Sequence, residues 1–348
     1  MDLVERLREA LARIQDPDLH KDLVTLDMVR DLVVADGTAR FRLVLTTAAC
    51  PVKQQLEDQC RAAALSVPGI VRAEIAVSAE VPAAAAKPSL PGVRHLIGIG
   101  SGKGGVGKST LTANLAVALA RRGAAVGLLD ADLYGPSIPV MFGVNRQPRV
   151  EHKKMQPIEA HGVKLMSIGF LVEERQAVIW RGPMLVGALR QFLDDVAWGE
   201  LDYLLIDLPP GTGDVQLTLA QNAPLTGAVV VSTPQAVALA DARRAAGMFE
   251  RVKVPILGMV ENMAEFVCPA CGHIEPIFGH GGAEREAAIL GVPFLGRIPL
   301  EVRVRAAGDD GTPVVAAHPD SLSAAAFARV AERLAARISV AVLGGSRR

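Results

Sequence analysis

Downstream of residue 92 the apolar positions fall into short, nearly continuous runs separated by amphipathic stretches. The runs "HLIGIGS", "AAVGLLDAD", "DYLLIDLPP", "GAVVVSTPQ", "PILGMVENM" and "VPFLGRIPL" read as strands, and their lack of alternation fits strands buried on both faces of a parallel sheet. With helical segments between them, they predict an α/β domain with a doubly wound, mostly parallel sheet over residues 93–348. The last stretch, "SLSAAAFARVAERLAARISVAVL", sets Leu322, Phe327, Val330, Leu334 and Ile338 near one face, which predicts a helix packed on that sheet.

Upstream the pattern changes. Leu3, Leu7, Leu11 and Ile14 recur at helical spacing, "ARFRLVLTT" follows "DG" as a strand, "PVKQQLEDQCRAAAL" returns to helix and "IVRAEIAVS" to strand. These elements predict a small α+β domain over residues 1–80. The proline- and alanine-rich stretch through residues 81–92 reads as a linker between the two.

Composition narrows the function without naming it. Lys plus Arg equals Asp plus Glu at 37 each, so net charge gives no argument for a nucleic-acid partner. The N-terminus is charged where a signal peptide would be apolar, and no apolar run approaches the roughly 20 residues that span a bilayer. A cytoplasmic protein with no membrane partner is expected. Four cysteines are too few for a secreted disulfide framework, so the Cys268-x-x-Cys271 pair points to metal or redox chemistry.

The segment "IGIGSGKGGVGKSTLTANLAVALARRG" is strand, glycine loop and helix in the order that phosphate binding needs. Gly102-x-x-x-x-Gly107-Lys108-Ser109 matches the P-loop, whose backbone N–H groups and following helix N-terminus surround phosphates. In that reading Lys108 holds the β and γ phosphates of ATP and Ser109 ligates Mg²⁺.

A second lysine, Lys103, makes the loop "GKGGVGKS", which resembles the deviant Walker A motif of the ParA and MinD ATPases, the nitrogenase iron protein and the arsenite-pump ATPase. In that family the extra lysine reaches the partner's nucleotide, so the resemblance implies a nucleotide-dependent homodimer. It also implies roles for carboxylates at later strand ends. Asp132 in "LLDADLYGPS" matches the switch I aspartate that positions the attacking water and supports the metal shell. Asp207 in "LLIDLPPGTGD" matches the Walker B aspartate, bound to Mg²⁺ through water, with Gly211 and Gly213 in a switch II loop. Asn262 in "VENM" matches the adenine-contacting asparagine. Each of these could alone be a turn or cap residue.

Two thiolates leave a metal shell half filled, because zinc and iron–sulfur sites commonly take four protein ligands. A two-fold dimer would bring two Cys268/Cys271 pairs together and complete a four-cysteine shell. Zinc suits the spacing as well, and a thiol–disulfide pair is a weaker alternative. The surrounding stretches "WRGPM" (180–184), "LDYLLIDLPPGTGDVQLTLAQ", "STPQAVALADARRA" and "ENMAEFVCPACG" resemble the Mrp/ApbC family of iron–sulfur cluster carriers, from about residue 93 to 315. The resemblance implies that Cys268 and Cys271 hold a transferable [4Fe-4S] cluster, passed between scaffold proteins and apo clients. By direct match, Lys103, Gly104, Gly105, Val106, Gly107, Lys108, Ser109 and Thr110 form the nucleotide loop.

The stretch "IQDPDLHKDLVTLDMVRDL" followed by "LTTAACPV" resembles the small domain of PaaD-like and SufT-like iron–sulfur assembly proteins over about residues 3 to 78. Asp18 stands where glutamate is usual and Asp27 where glycine is usual. Pro51 as a first helical residue would put Cys50 at a helix N-cap, where its thiol pKa is lowered and it could accept or pass a cluster. Cys60, in mid-helix, reads as core. The function expected is an ATPase that carries iron–sulfur clusters. A ParA/MinD-like positioning protein, a zinc-binding ATPase and an electron-transfer reductase are the alternatives.

Overall fold

A computed structural model describes residues 2–83, 90–132, 135–171 and 182–344. It divides into two compact units: residues up to 83 together with those from 335 onward, and residues 84–334. The sequence pattern assigns the whole last helix to the second domain, whereas its end groups with the first unit. There Ser339 Oγ donates to the Thr46 carbonyl at 3.4 Å, and the charge of Arg337 bears on Asp18.

The first unit runs α1 (Leu3–Leu11), β1 (Val29–Ala35), β2 (Thr38–Leu45), α2 (Lys53–Leu65) and β3 (Arg72–Ala79). β1 and β2 pair antiparallel across the Asp36–Gly37 turn, and α2 is the crossover that lets β3 lie parallel to β2. Both turn residues have positive φ, 49° and 70°, as a tight hairpin with right-handed strand twist requires. Leu7, Leu11, Phe41, Leu43, Leu56 and Cys60 close the core. Asp27 has a left-handed φ of 55°, which explains glycine's usual place there; aspartate tolerates that region better than most side chains.

The second unit is built on β4 (Val93–Ser101), α3 (Lys108–Arg121), β5 (Val126–Asp130), α4 (Ile138–Met141), the hairpin β6 (Val150–Glu151) and β7 (Lys154–Met155), β8 (Ile158–Ala160), β9 (Val163–Ser167) and α5 (Gly182–Asp194). It continues through β10 (Leu201–Asp207), α6 (Asp214–Asn222), β11 (Gly227–Ser232), α7 (Ala236–Arg251), β12 (Ile256–Val267), β13 (Ile274–Glu275), α8 (Gly282–Leu290) and β14 (Phe294–Leu300). Helices α9 (Val302–Asp309), α10 (Val314–Ala317) and α11 (Leu322–Gly344) follow. Parallel pairings run in the order β14-β12-β11-β4-β10-β5-β9, with β8 and β13 antiparallel at the margins. Each of the six strands read from the sequence is present, and the mostly parallel α/β class holds.

Sheet order does the positioning. β4, β10 and β5 are neighbours, so the segments leaving their C-terminal ends meet, as ligand sites of open α/β sheets do. Register refines this further: Asp207 stands opposite Asp130. One expectation fails in α11, where Leu322 is 56% exposed while Phe327, Val330, Leu334 and Ile338 are buried. At about 100° per residue, five residues before Phe327 lies roughly 140° round the helix from the packed face.

Candidate nucleotide site and thiol pair

The loop from Gly102 to Gly107 leaves β4 and enters α3 through Gly107 at φ 81°, with Gly105 at φ 79°. A side chain at Gly107 would also collide with the Asn262 amide, 2.1 Å from a Cβ built there, so glycine is required twice over. At the other end, a Cβ on Gly102 would lie 2.1 Å from the Asp241 carbonyl of α7. The loop is tied to its surroundings: Ser101 Oγ donates to the Lys103 carbonyl at 2.9 Å and Gly211 N to the Ser101 carbonyl at 2.9 Å.

Lys108 turns into the site and is buried. Its Nζ lies 2.8 Å from Asp207 Oδ2, 3.7 Å from Asp132 Oδ2 and 3.2 Å from Ser109 Oγ. Ser109 Oγ donates to Asp207 Oδ2 at 2.5 Å, and Thr112 Oγ1 to Asp207 Oδ1 at 2.8 Å. Thr112 was not singled out from the sequence, although its place three residues after Ser109 on α3 puts both hydroxyls on one helix face. Ser109 and Asp207 converge as an oxygen-only donor set beside the phosphate loop, which fits a hard divalent cation such as Mg²⁺.

Asp130, at the end of β5, is fully buried. Burial first, then the nearby Asp207, push its carboxyl up to about 8, while Lys108, Ser167 and the Asp132 N–H pull the other way. Asn262 Nδ2 donates to the Val106 carbonyl at 2.8 Å, so the structure brings it directly onto the loop. Beside it opens a cavity of about 470 Å³ lined by Gly107, Thr110, Asn262, Met263 and residues of β14 and α9. Gly104 is exposed and Lys103 half-buried, and no ion pair of Lys103 is found among the described residues.

β12 runs on from Asn262 to the thiol pair. Its end pairs with β13, and the connecting turn is closed by Cys268 N to His273 O and Gly272 N to Cys268 O, both 2.9 Å, with Gly272 at φ 71°. Cys268 is half-buried and Cys271 exposed. Backbone N–H groups of Ala270 and Cys271, with the Cys271 thiol, hold Cys268 below the usual thiol range. Among the described residues, no group of three or more His, Cys, Asp or Glu side chains is arranged to hold a metal ion. Nor is any helix there long and apolar enough to cross a membrane.

The first unit holds two further cysteines. Cys60 is buried, and burial with the charge of Glu57 pushes its thiol up to about 12. Cys50 is not at a helix N-cap: α2 begins at Lys53, its N-cap is Val52, and the Cys50 carbonyl closes a turn with Lys53 N at 3.4 Å. Pro51 starts that turn instead of the helix. Trp180 and Arg181 of "WRGPM", and positions 84–89 of the linker, lie outside the described residues.

A glycine loop between a buried strand and helix, with lysine, serine and aspartate converging beyond it, defines a P-loop nucleotide-binding protein. Residues 92–335 match the family described as NUBPL iron-transfer P-loop NTPase, and residues 5–77 match the family described as iron-sulfur cluster assembly protein. The chain therefore belongs to the iron-transfer P-loop NTPase family. An iron-sulfur cluster carrier protein of Deinococcus radiodurans is 53% identical over 97% of both chains. One of Synechocystis is 49% identical, covering 96% of this chain and 97% of its own, and one of Escherichia coli K12 is 46% identical, covering 94% and 90%. Among solved structures, a nucleotide-binding protein of Archaeoglobus fulgidus in complex with ADP is 46% identical, covers 64% of this chain and 88% of its own, and superposes with a TM-score of 0.58. The cell-division ATPase MinD of Pyrococcus furiosus is 26% identical, with a TM-score of 0.52 over 69% of this chain and 98% of its own.

Proposed function

We propose that this chain is an iron–sulfur cluster carrier: Cys268 and Cys271 hold a [4Fe-4S] cluster as cargo, and the same pair from a second copy completes four thiolates. The observation that carries the reading is the exposed hairpin at the end of β12, where a tight turn presents two thiols, one with its pKa lowered, and no third ligand stands beside them among the described residues. A cluster held at an exposed edge can pass to a client by exchange of thiolates at iron, each displaced carrier cysteine leaving as a thiolate or taking up a proton. A ParA/MinD-like positioning role gives no use for the pair, and MinD is the more distant relative at 26% identity.

ATP is the nucleotide proposed, hydrolysed slowly to ADP and phosphate. Gly102 to Thr110 surround the phosphates, Asn262 and the adjoining cavity take the base, and Lys108 neutralises charge on the transferred phosphoryl group. Lys103 of a second copy adds to that charge, and Asp132 orients the water that attacks the γ-phosphorus. Ser109, with Asp207 and Asp132 beside it, would hold Mg²⁺, which would supply further charge neutralisation. Asn262 lies on β12 and Cys268 directly follows its last residue, so a nucleotide-dependent dimer geometry would change how the thiolates are held.

Anaerobic reconstitution with iron and sulfide tests the site. The unaltered protein should gain visible absorption and about one cluster per dimer, and the Cys268→Ser, Cys271→Ser double variant neither. Unchanged loading in the variant, or zinc held in preference to a cluster, would refute the reading.

A further inference from the structure

Asp132 lies just past β5, and α4 begins at Ile138. The backbone N–H groups of both are hydrogen-bonded to one buried carboxyl group. Asp130 Oδ1 accepts from the Asp132 N–H at 3.2 Å, and Oδ2 accepts from the Ile138 N–H at 3.3 Å. α4 has no side-chain cap of its own, so Asp130 supplies the acceptor that its first turn lacks. A third donor fixes the carboxylate itself: Ser167 Oγ, fully buried at the end of β9, donates to Oδ2 at 3.0 Å and accepts from Gly169 N at 3.0 Å. β9 pairs with β5 in a register that puts Ser167 opposite Asp130.

We infer that Asp130 and Ser167 form a staple that positions Asp132 for hydrolysis, with Ser167 acting through Asp130 and neither touching the nucleotide. The inference rests on the ATPase reading above and adds to it a pair of positioning residues, one of them from a strand outside the phosphate-binding segments. Of the groups facing Asp130, Lys108 and Asp207 belong to the nucleotide site, whereas Ser167 has no other role there. Phosphate gripping depends on the glycine loop, to which Asp130 and Ser167 make no hydrogen bond among the described residues, although the Asp130 carboxyl faces Lys108. Loss of the staple should therefore lower turnover and spare ATP affinity.

Steady-state hydrolysis and amide exchange, measured on the full chain, test this together. In Asp130→Asn one carboxylate oxygen becomes an NH₂ group, so one end of the loop faces a donor where it needs an acceptor. That variant should lose about tenfold or more in kcat, and Ser167→Ala about threefold, each with KM for ATP within about twofold of the parent. In the nucleotide-free protein, the Asp132 and Ile138 amides should exchange faster in both variants while the melting temperature stays near the parent's. Parental kcat in both variants, or a loss confined to KM, overturns the positioning role. Unchanged exchange at both amides overturns the staple even if the chain hydrolyses no ATP. Faster exchange alongside an unaltered protein that fails to hydrolyse would instead sink the ATPase reading, and the catalytic half of the inference with it.

Discussion

Replacing Lys108 with alanine should destabilise the protein before any nucleotide is involved. The lysine ammonium is 2.8 Å from Asp207 and 3.7 Å from Asp132, and the three side chains are 5%, 0% and 12% exposed. Removing one member of a buried pair typically costs about 3–5 kcal/mol, because a charge is left without compensation. Asp130, pushed up to about 8, already keeps its proton at neutral pH, so its charge is not among those left stranded. The lower end of that range, about 3 kcal/mol, is therefore expected. For a unit of this size each kcal/mol moves Tm by about 2–4 °C, so a fall of about 6–12 °C is expected.

The pH dependence has a definite sign. An acid whose folded-state pKa lies above its unfolded value contributes less stability as pH rises between the two, here from about 4 towards 8 and beyond. The deficit should therefore stay level between pH 5 and neutral pH and widen near pH 9, where the parent's Asp130 gives up its proton beside Lys108, and adding Asp207→Asn to Lys108→Ala should recover a large part of it. Calorimetry of the nucleotide-free protein at the three pH values is the assay. A variant melting within about 1 °C of the parent throughout would refute the idea that this lysine balances buried charge.

Three further outcomes are expected. Iodoacetamide should modify Cys268 with a pH midpoint below that of an ordinary thiol and leave Cys60 untouched in the folded protein, read by peptide mass; equal rates would contradict the hydrogen-bonded turn. Gly107→Ala, forced into φ 81° and against the Asn262 amide, should cost about 1–3 kcal/mol in denaturant titration and weaken ATP binding together, since the same contact holds the loop. Leu322→Ala should change stability by less than about 0.5 kcal/mol, whereas Phe327→Ala should cost about 3–5, although the two stand on one helix.

What the sequence disclosed and what it hid differ in kind. The parallel strands were legible because a strand buried on both faces has to be apolar along its length, and the phosphate loop because its glycines and lysine are contiguous. Ser167 carried no such signal: its partner Asp130 is 37 residues earlier, and only the register of β9 against β5 brings them together. The bond from Asn262 to Val106 spans 156 residues and is equally hidden from local sequence. Cys50 was misplaced because proline is compatible with both a first helical position and a turn, and local sequence does not choose between them. Leu322 resembles the buried face in its apolarity, but helical phase sets it aside.

The central claim is that one subunit offers half of a cluster's ligands. Native mass measurement of the anaerobically reconstituted protein, across concentrations that populate monomer and dimer, tests it most directly. Cluster mass should appear on dimers alone and vanish from dimers of the Cys268→Ser, Cys271→Ser variant. A monomer carrying the cluster, or a variant dimer that retains it, would contradict the account.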